Sequence, residues 1–167
     1  MTAMLSIVGW SNSGKTTFIT KLIPKLKEKG YKVATIKHND HKFEIDKAGK
    51  DSWRHREAGA ETVILSSPKK VAVIKEVAEE VPIKELAENY IDSSFDLIIV
   101  EGFKSGDLPK IEIFRPAESE EEYAAAGDEV LLRIINDDEE EEADIFNEEV
   151  DEAVEVIARE VLNKRKE

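Results

Sequence analysis

Short, nearly continuous apolar runs, each about the length of a strand, are separated along this chain by stretches in which apolar residues return every three or four positions. The first run, Met4 to Val8, reads as a strand, and Thr17 to Lys29 reads as an amphipathic helix. That helix gathers Phe18, Ile19, Leu22, Ile23 and Leu26 on one stripe and stops at Gly30. Pro24 lies inside it and removes a backbone donor, which predicts a kink or an early break. Tyr31 to His38 alternates Val33, Thr35 and Lys37 with Ala34, Ile36 and His38, a second strand, before a polar loop from Asn39 to Lys50. A short helix over Asp51 to Ala58 ends at Gly59, and two runs, Glu61 to Leu65 and Val71 to Lys75, are predicted neighbours in a sheet. Pro82 opens a helix carrying Ile83, Leu86, Ala87 and Tyr90. Leu97 to Val100 is apolar at every position, the mark of a strand covered on both faces. Lys110 to Phe114 and Leu131 to Ile135 are further strands, and Glu148 to Asn163 is a closing helix with Val150, Val154, Ile157, Ala158 and Val161 on its apolar side.

Strands alternating with helices predict an α/β chain: three layers, a mainly parallel sheet and helices on both faces. At 167 residues a single domain over the whole length is expected. No cysteine is present, so disulfides, thiolate zinc sites and thiol catalysis are excluded. No apolar run approaches the roughly 20 residues that span a bilayer, and the N-terminus lacks a signal-peptide pattern, so a cytoplasmic protein with no membrane partner is expected. Charge is uneven: residues 1–60 hold 12 Lys and Arg against 6 Asp and Glu, whereas the other 107 hold 12 against 31. A basic first part suits polyphosphate, while the net charge of −13 argues against nucleic acid as a partner. The acidic blocks Glu118 to Glu122 and Asp137 to Glu142 are expected to be solvated.

Between the first strand and the first helix stand Gly9-Trp10-Ser11-Asn12-Ser13-Gly14-Lys15-Thr16, which match G-x-x-x-x-G-K-[ST] at every fixed position. In a phosphate-binding loop of this kind the glycines let backbone N–H groups surround a phosphate at the positive end of the helix. Lys15 would reach the β- and γ-phosphates, and Thr16 would offer its hydroxyl to Mg²⁺. A bare Gly/Ser turn would need neither the lysine nor the following threonines. The predicted architecture is therefore that of a P-loop nucleoside triphosphatase.

A second carboxyl end completes the set. The apolar strand ending at Glu101-Gly102 presents a carboxylate beside the loop, where it serves the metal or the attacking water, or is simply held by a helix N-terminus. After the second strand, Lys37, His38, His41 and Asp46 gather in one loop: Asp46 is a candidate for Mg²⁺ through water, and Lys37 or His41 for phosphate or another anion. For each of these residues singly, a solvated polar loop with His38 merely hydrogen-bonded is an equal reading. Trp53 reads as core or interface, and Arg54 and Arg56 as a solvated face.

Taken in order, the G-W-S-N-S-G-K-T-T loop, T-I-K-H-N-D-H-K-F-E-I-D, G-K-D-S-W-R-H-R-E-A-G-A, D-L-I-I-V-E-G-F-K and P-K-I-E-I-F-R resemble the MobB family of molybdopterin-guanine dinucleotide biosynthesis proteins. The motif-bearing part is residues 4–115, and the acidic part 116–167 carries no motif. What the resemblance implies is a dimeric GTP-binding protein with weak, Mg²⁺-dependent GTPase activity. It would assist a guanylyltransferase in attaching GMP to molybdopterin for molybdenum or tungsten enzymes. On that resemblance Gly9, Ser11, Asn12, Ser13, Gly14, Lys15, Thr16 and Thr17 hold phosphate and metal, Glu101 polarises or positions water, and Lys37, His41, Lys50 and Arg54 face an anionic ligand or partner. No N-K-x-D sequence marks guanine recognition, so GTP over ATP rests on the family alone. Two other readings stand beside it: a small-molecule kinase using ATP, and an adapter that binds nucleotide without useful hydrolysis.

Overall fold

A computed structural model of the chain describes residues 2–39, 41–118, 123–125, 127, 129–137 and 146–163. Most of both acidic blocks lies outside these residues. The chain forms two compact units, one of Met1–Asn39 with Tyr90–Glu167 and one of Asp40–Asn89.

The first unit is built on five strands: β1 (Ala3–Val8), β2 (Val33–Lys37), β5 (Leu97–Glu101), β6 (Lys110–Phe114) and β7 (Val130–Ile135). Their order is β2-β5-β1-β6-β7 and every pairing is parallel. This is the α/β arrangement with a phosphate loop after the central strand that the alternating pattern predicts. Leu97 to Val100 of β5 are buried throughout, as their continuous apolarity requires of a strand between two others.

Helices α1 (Lys15–Glu28) and α4 (Asn147–Ile157) supply the core on one side of this sheet. Leu5 and Ile7, Leu97 and Ile99, Ile111 and Ile113, and Ile134 pack with Phe18, Leu22 and Leu26 of α1 and Val150, Ala153, Val154 and Ile157 of α4. Phe18 meets Phe146 edge to face, ring centroids 5.6 Å apart. No early break occurs at Pro24, because α1 continues through it to Glu28. The last turn after α4, Ala158–Leu162, is π-helical and still buries Val161 and Leu162.

Polar groups buried on the strands are all used to tie irregular segments to the sheet. Lys110 of β6 donates to the carbonyls of Gly106 and Leu108 and pairs with Glu129 at 3.0 Å. Glu112, fully buried, accepts from the backbone N–H groups of Ala124 and Ala125 and from Arg133 Nε at 3.1 Å. Such groups persist in a core only when hydrogen-bonded.

The second unit holds α2 (Asp51–Glu57), strands β3 (Thr62–Ser67) and β4 (Lys70–Lys75), and α3 (Ile83–Tyr90), whose last residue begins the return to the first unit. β3 and β4 pair antiparallel, as neighbours, but in a two-stranded sheet of their own. Arg56 is no solvated side chain: 14% exposed, it bonds the Glu44 carboxylate at 2.9 Å and the Ile45 carbonyl at 3.0 Å. Among the described residues no helix is long and apolar enough to cross a membrane.

Candidate functional site

The loop from Gly9 to Gly14 can only be built with glycine at its two ends. Gly9 has φ 149° and Gly14 φ 98°, both left-handed. A Cβ on Gly9 would strike the Ile113 carbonyl and the Ser13 hydroxyl, and one on Gly14 would come within 2.9 Å of Asn136 Nδ2 and 3.0 Å of the Phe146 ring. Asn12 at the crest also has positive φ, 59°, a conformation asparagine tolerates better than most residues. Gly14 is the N-cap of α1 and has no capping side chain. The first N–H groups of α1 have no acceptor within the helix, which leaves an anion-binding terminus at Lys15.

Lys15 reaches back over the loop, its Nζ donating to the carbonyls of Gly9 at 3.2 Å and Trp10 at 2.6 Å. Burial lowers its pKa below the ordinary 10.5, Lys104 and Lys37 push the same way, and Glu101 opposes them. The ammonium is thus partly stripped of water by burial, a loss that a polyphosphate would offset.

Strand register brings the next residues together. Ile7 and Lys37 both stand opposite Glu101, on either side of β5. One oxygen of Glu101 accepts from Thr16 Oγ1 at 3.1 Å and from Lys37 Nζ at 3.1 Å. Behind it the backbone turns sharply, Gly102 at φ 93° and Phe103 at φ 57°. That turn is pinned by Gly102 N–H on the Ile7 carbonyl at 2.9 Å and by Ser6 Oγ on the Gly102 carbonyl at 2.6 Å. His38 follows β2 at the same level; its N–H donates to the Glu101 carbonyl at 2.9 Å and its ring lies edge-on to Phe103 at 5.5 Å.

The candidates therefore separate. Lys15, Thr16, Lys37 and Glu101 form one connected group at the carboxyl ends of β1, β5 and β2, with Ser11, Ser13 and Thr17 on the loop and its helix. His41 and Asp46 belong to the second unit, where His41 is exposed. Asp46 holds a left-handed backbone, φ 87°, and accepts from Lys47 N–H through one oxygen, while its other oxygen is buried without a partner.

Three residues contacting the loop escape a reading of the motifs. Lys104, just after the Glu101 turn, sets its ammonium 3.9 Å from the centre of the Trp10 ring. Arg115, the residue after β6, donates from Nη1 to the Asn12 carbonyl at 3.2 Å. Asn136, the residue after β7, donates from Nδ2 to the Ser13 carbonyl at 3.1 Å. Lys104 and Arg115 stand inside conspicuous sequence blocks, but nothing local marks Asn136, whose place depends on β7 lying two strands from β1.

The group fits a magnesium-bound phosphate chain. Thr16 and Glu101 give two oxygens 3.1 Å apart beside a helix N-terminus, and Mg²⁺ uses few protein oxygens together with phosphate and water. Among the described residues no three His, Asp or Glu side chains converge as a self-sufficient metal cage.

Comparison with known proteins identifies relatives over most of the chain. The family model described as molybdopterin guanine dinucleotide synthesis protein B matches residues 4–137. A molybdopterin-guanine dinucleotide biosynthesis adapter protein of Haemophilus influenzae is 42% identical over 125 residues, 72% of this chain and 70% of that protein. The protein of the same description from Escherichia coli is 42% identical over 117 residues, 69% of this chain and 67% of its own. A crystal structure of molybdopterin-guanine biosynthesis protein B covers 93% of this chain and 96% of its own, with a TM-score of 0.65 at 32% identity. A MobB homologue from Bacillus stearothermophilus shares the fold, with a TM-score of 0.66 at 22% identity, over 93% of this chain and 99% of its own. A phosphate loop in the first strand-to-helix turn, a strand-end glutamate tied to it, and matches of this extent lead to one assignment: the chain belongs to the molybdopterin guanine dinucleotide synthesis protein B family.

Proposed function

We propose that this protein is a GTP-binding adapter with slow Mg²⁺-dependent GTPase activity, assisting a guanylyltransferase that attaches GMP to molybdopterin. The adapter role comes from the description carried by its 42%-identical relatives. The observation that carries the nucleotide chemistry is the convergence of Lys15, Thr16, Lys37 and Glu101 on one end of a capless helix. GTP rather than ATP follows from family membership.

In the hydrolysis, a water oxygen forms a bond to the γ-phosphorus as the bond to the β–γ bridging oxygen breaks, giving GDP and inorganic phosphate. Backbone N–H groups of the loop and the Lys15 ammonium stabilise the charge on the phosphate oxygens. Thr16 and Glu101 would hold Mg²⁺, which when bound would supply neutralisation of charge on the leaving group. Glu101 orients the water and draws on its proton, while Lys37 holds that carboxylate in place through a 3.1 Å bond. Turnover is slow because one glutamate is shared between Thr16 and Lys37.

A homodimer goes with this reading. Ile64, Val71 and Val73 lie on one face of the β3–β4 hairpin and are 64%, 63% and 45% exposed, an apolar patch suited to a second copy.

The test is equilibrium binding of GTP, ATP and GDP with Mg²⁺ to the wild type, Lys15→Ala and Glu101→Gln, with phosphate release followed in the same samples. Selective GTP binding is expected, lost in Lys15→Ala; Glu101→Gln keeps GTP affinity within about threefold and loses roughly 10²-fold or more in release. Preference for ATP, with release stimulated by small hydroxylated metabolites, would make the protein a kinase instead. Unchanged release from Glu101→Gln would remove Glu101 from the mechanism.

A further inference from the structure

The phosphate loop touches the sheet on both flanks, and only one flank is used by the chemistry above. On the β5–β2 side stand Glu101 and Lys37. On the β6–β7 side stand Arg115, on the Asn12 carbonyl, and Asn136, on the Ser13 carbonyl. In an open parallel sheet a nucleotide lies across the carboxyl ends at the point where strand order reverses, here at β1, so its two ends rest over opposite flanks. With the terminal phosphate over Thr16 and Glu101, the nucleoside is left the β6–β7 side.

The state of Asn136 points independently to a ligand there. It is 4% exposed and held from two sides: its N–H donates to the Phe114 carbonyl at 2.7 Å, and its Nδ2 to the Ser13 carbonyl. The Ser13 carbonyl fixes which end of the carboxamide is nitrogen, because an oxygen facing an oxygen would repel. Its Oδ1 is thereby turned elsewhere, buried and without a hydrogen-bond partner. A buried acceptor left unpaired costs about 1–3 kcal/mol, so native proteins rarely keep one without a use. The carboxamide lies against Gly14, at the amino end of α1, where the loop's anion site begins.

We infer that the carboxyl ends of β6 and β7 form the nucleoside half of this site, in which Asn136 Oδ1 accepts a hydrogen bond from an N–H of a purine base. This inference rests on the nucleotide-binding reading and extends it to the base. It supplies a base contact in a chain that has no N-K-x-D sequence. Asn136 is both a brace for the loop, through Nδ2, and a reader of the base, through Oδ1; the two roles separate by ligand.

The experiment measures Mg²⁺-dependent affinities of the full chain for GTP, ATP, inorganic tripolyphosphate, 1-methyl-GTP and N6,N6-dimethyl-ATP. The methylated analogues block the ring or exocyclic N–H of the respective base. For the wild type, the preferred nucleotide binds about tenfold or more tightly than its methylated analogue. Asn136→Leu removes brace and acceptor together, so it weakens both ligands, but costs that nucleotide about tenfold more than tripolyphosphate and is indifferent to the methylation. Equal loss of tripolyphosphate and nucleotide would reduce Asn136 to a brace and overturn the inference, as would a methylated base that binds wild type as well as the natural one. Wild type binding tripolyphosphate and nucleotide identically would overturn it while leaving the phosphate site standing. Wild type binding none of these ligands would overturn the nucleotide reading as well. The analogue comparison uses the unaltered protein, so it decides even if Asn136→Leu does not fold.

Discussion

At the scale of single residues, Lys15 shows the cost of holding a binding group ready. Its ammonium is partly desolvated and has Lys104 and Lys37 for neighbours, and its pKa is lowered accordingly. A group whose folded pKa lies below its unfolded value binds fewer protons when folded, so stability rises with pH across the window between the two. Below that window the charged Lys15 subtracts stability; as pH rises toward 10.5 the subtraction disappears. Lys15→Met is therefore expected to melt no lower than wild type at neutral pH, with any advantage shrinking in alkali. Triphosphate affinity should behave oppositely, falling as pH climbs through the depressed pKa and the cation is lost. Thermal melts and binding titrations from pH 7 to 10 read both trends. A Lys15→Met variant clearly less stable at neutral pH would show that the bonds to Gly9 and Trp10 outweigh the desolvation.

At the scale of elements, α1 is both the wall of the core and the floor of the site. Phe18, one turn from Lys15, is fully buried against Phe146, while the helix terminus faces the loop. Phe18→Ala should cost roughly 3–5 kcal/mol, since a cavity between α1 and α4 is closed only in part by relaxation. Urea unfolding checks the magnitude; a cost below about 1 kcal/mol would mean that the two helices are not locked through these rings. This element was legible in the sequence because its stripe has a 3.6-residue period and its start is fixed by Gly14-Lys15. The strands were legible for a similar reason, and Thr16 with Glu101 followed from one motif and one strand end. Lys37 was read toward an anion, and its bond to Glu101 depends on register, which no local pattern carries. Arg56 read as solvated because i,i+4 spacing says nothing of Glu44, twelve positions earlier. Pro24 failed to break α1: an amphipathic face packed along a whole helix outweighs one lost backbone bond.

At the scale of the whole molecule, the hairpin is the part whose own chemistry is incomplete. A two-stranded sheet alone is at best marginally stable in water, and both its outer edges carry unpaired backbone groups. Cross-strand partners Ile64 and Val73 stand on the same face as Val71, and all three are solvent-accessible in the single chain, whereas Val63 on the opposite face is buried. In the single chain these three side chains stay in water, and the proposed homodimer gives them a partner of matching chemistry. Ile64→Lys together with Val73→Lys places two like charges directly opposite each other on that face, which opposes association without altering the buried face. Sedimentation equilibrium should give twice the 18.8 kDa chain mass for wild type and a single chain for the double variant, with GTP affinity unchanged if each protomer's phosphate site is self-sufficient. A monomeric wild type, or a double variant that remains dimeric, would remove the hairpin as the seat of assembly. Loss of GTP binding on dissociation would mean that the second copy takes part in forming the site.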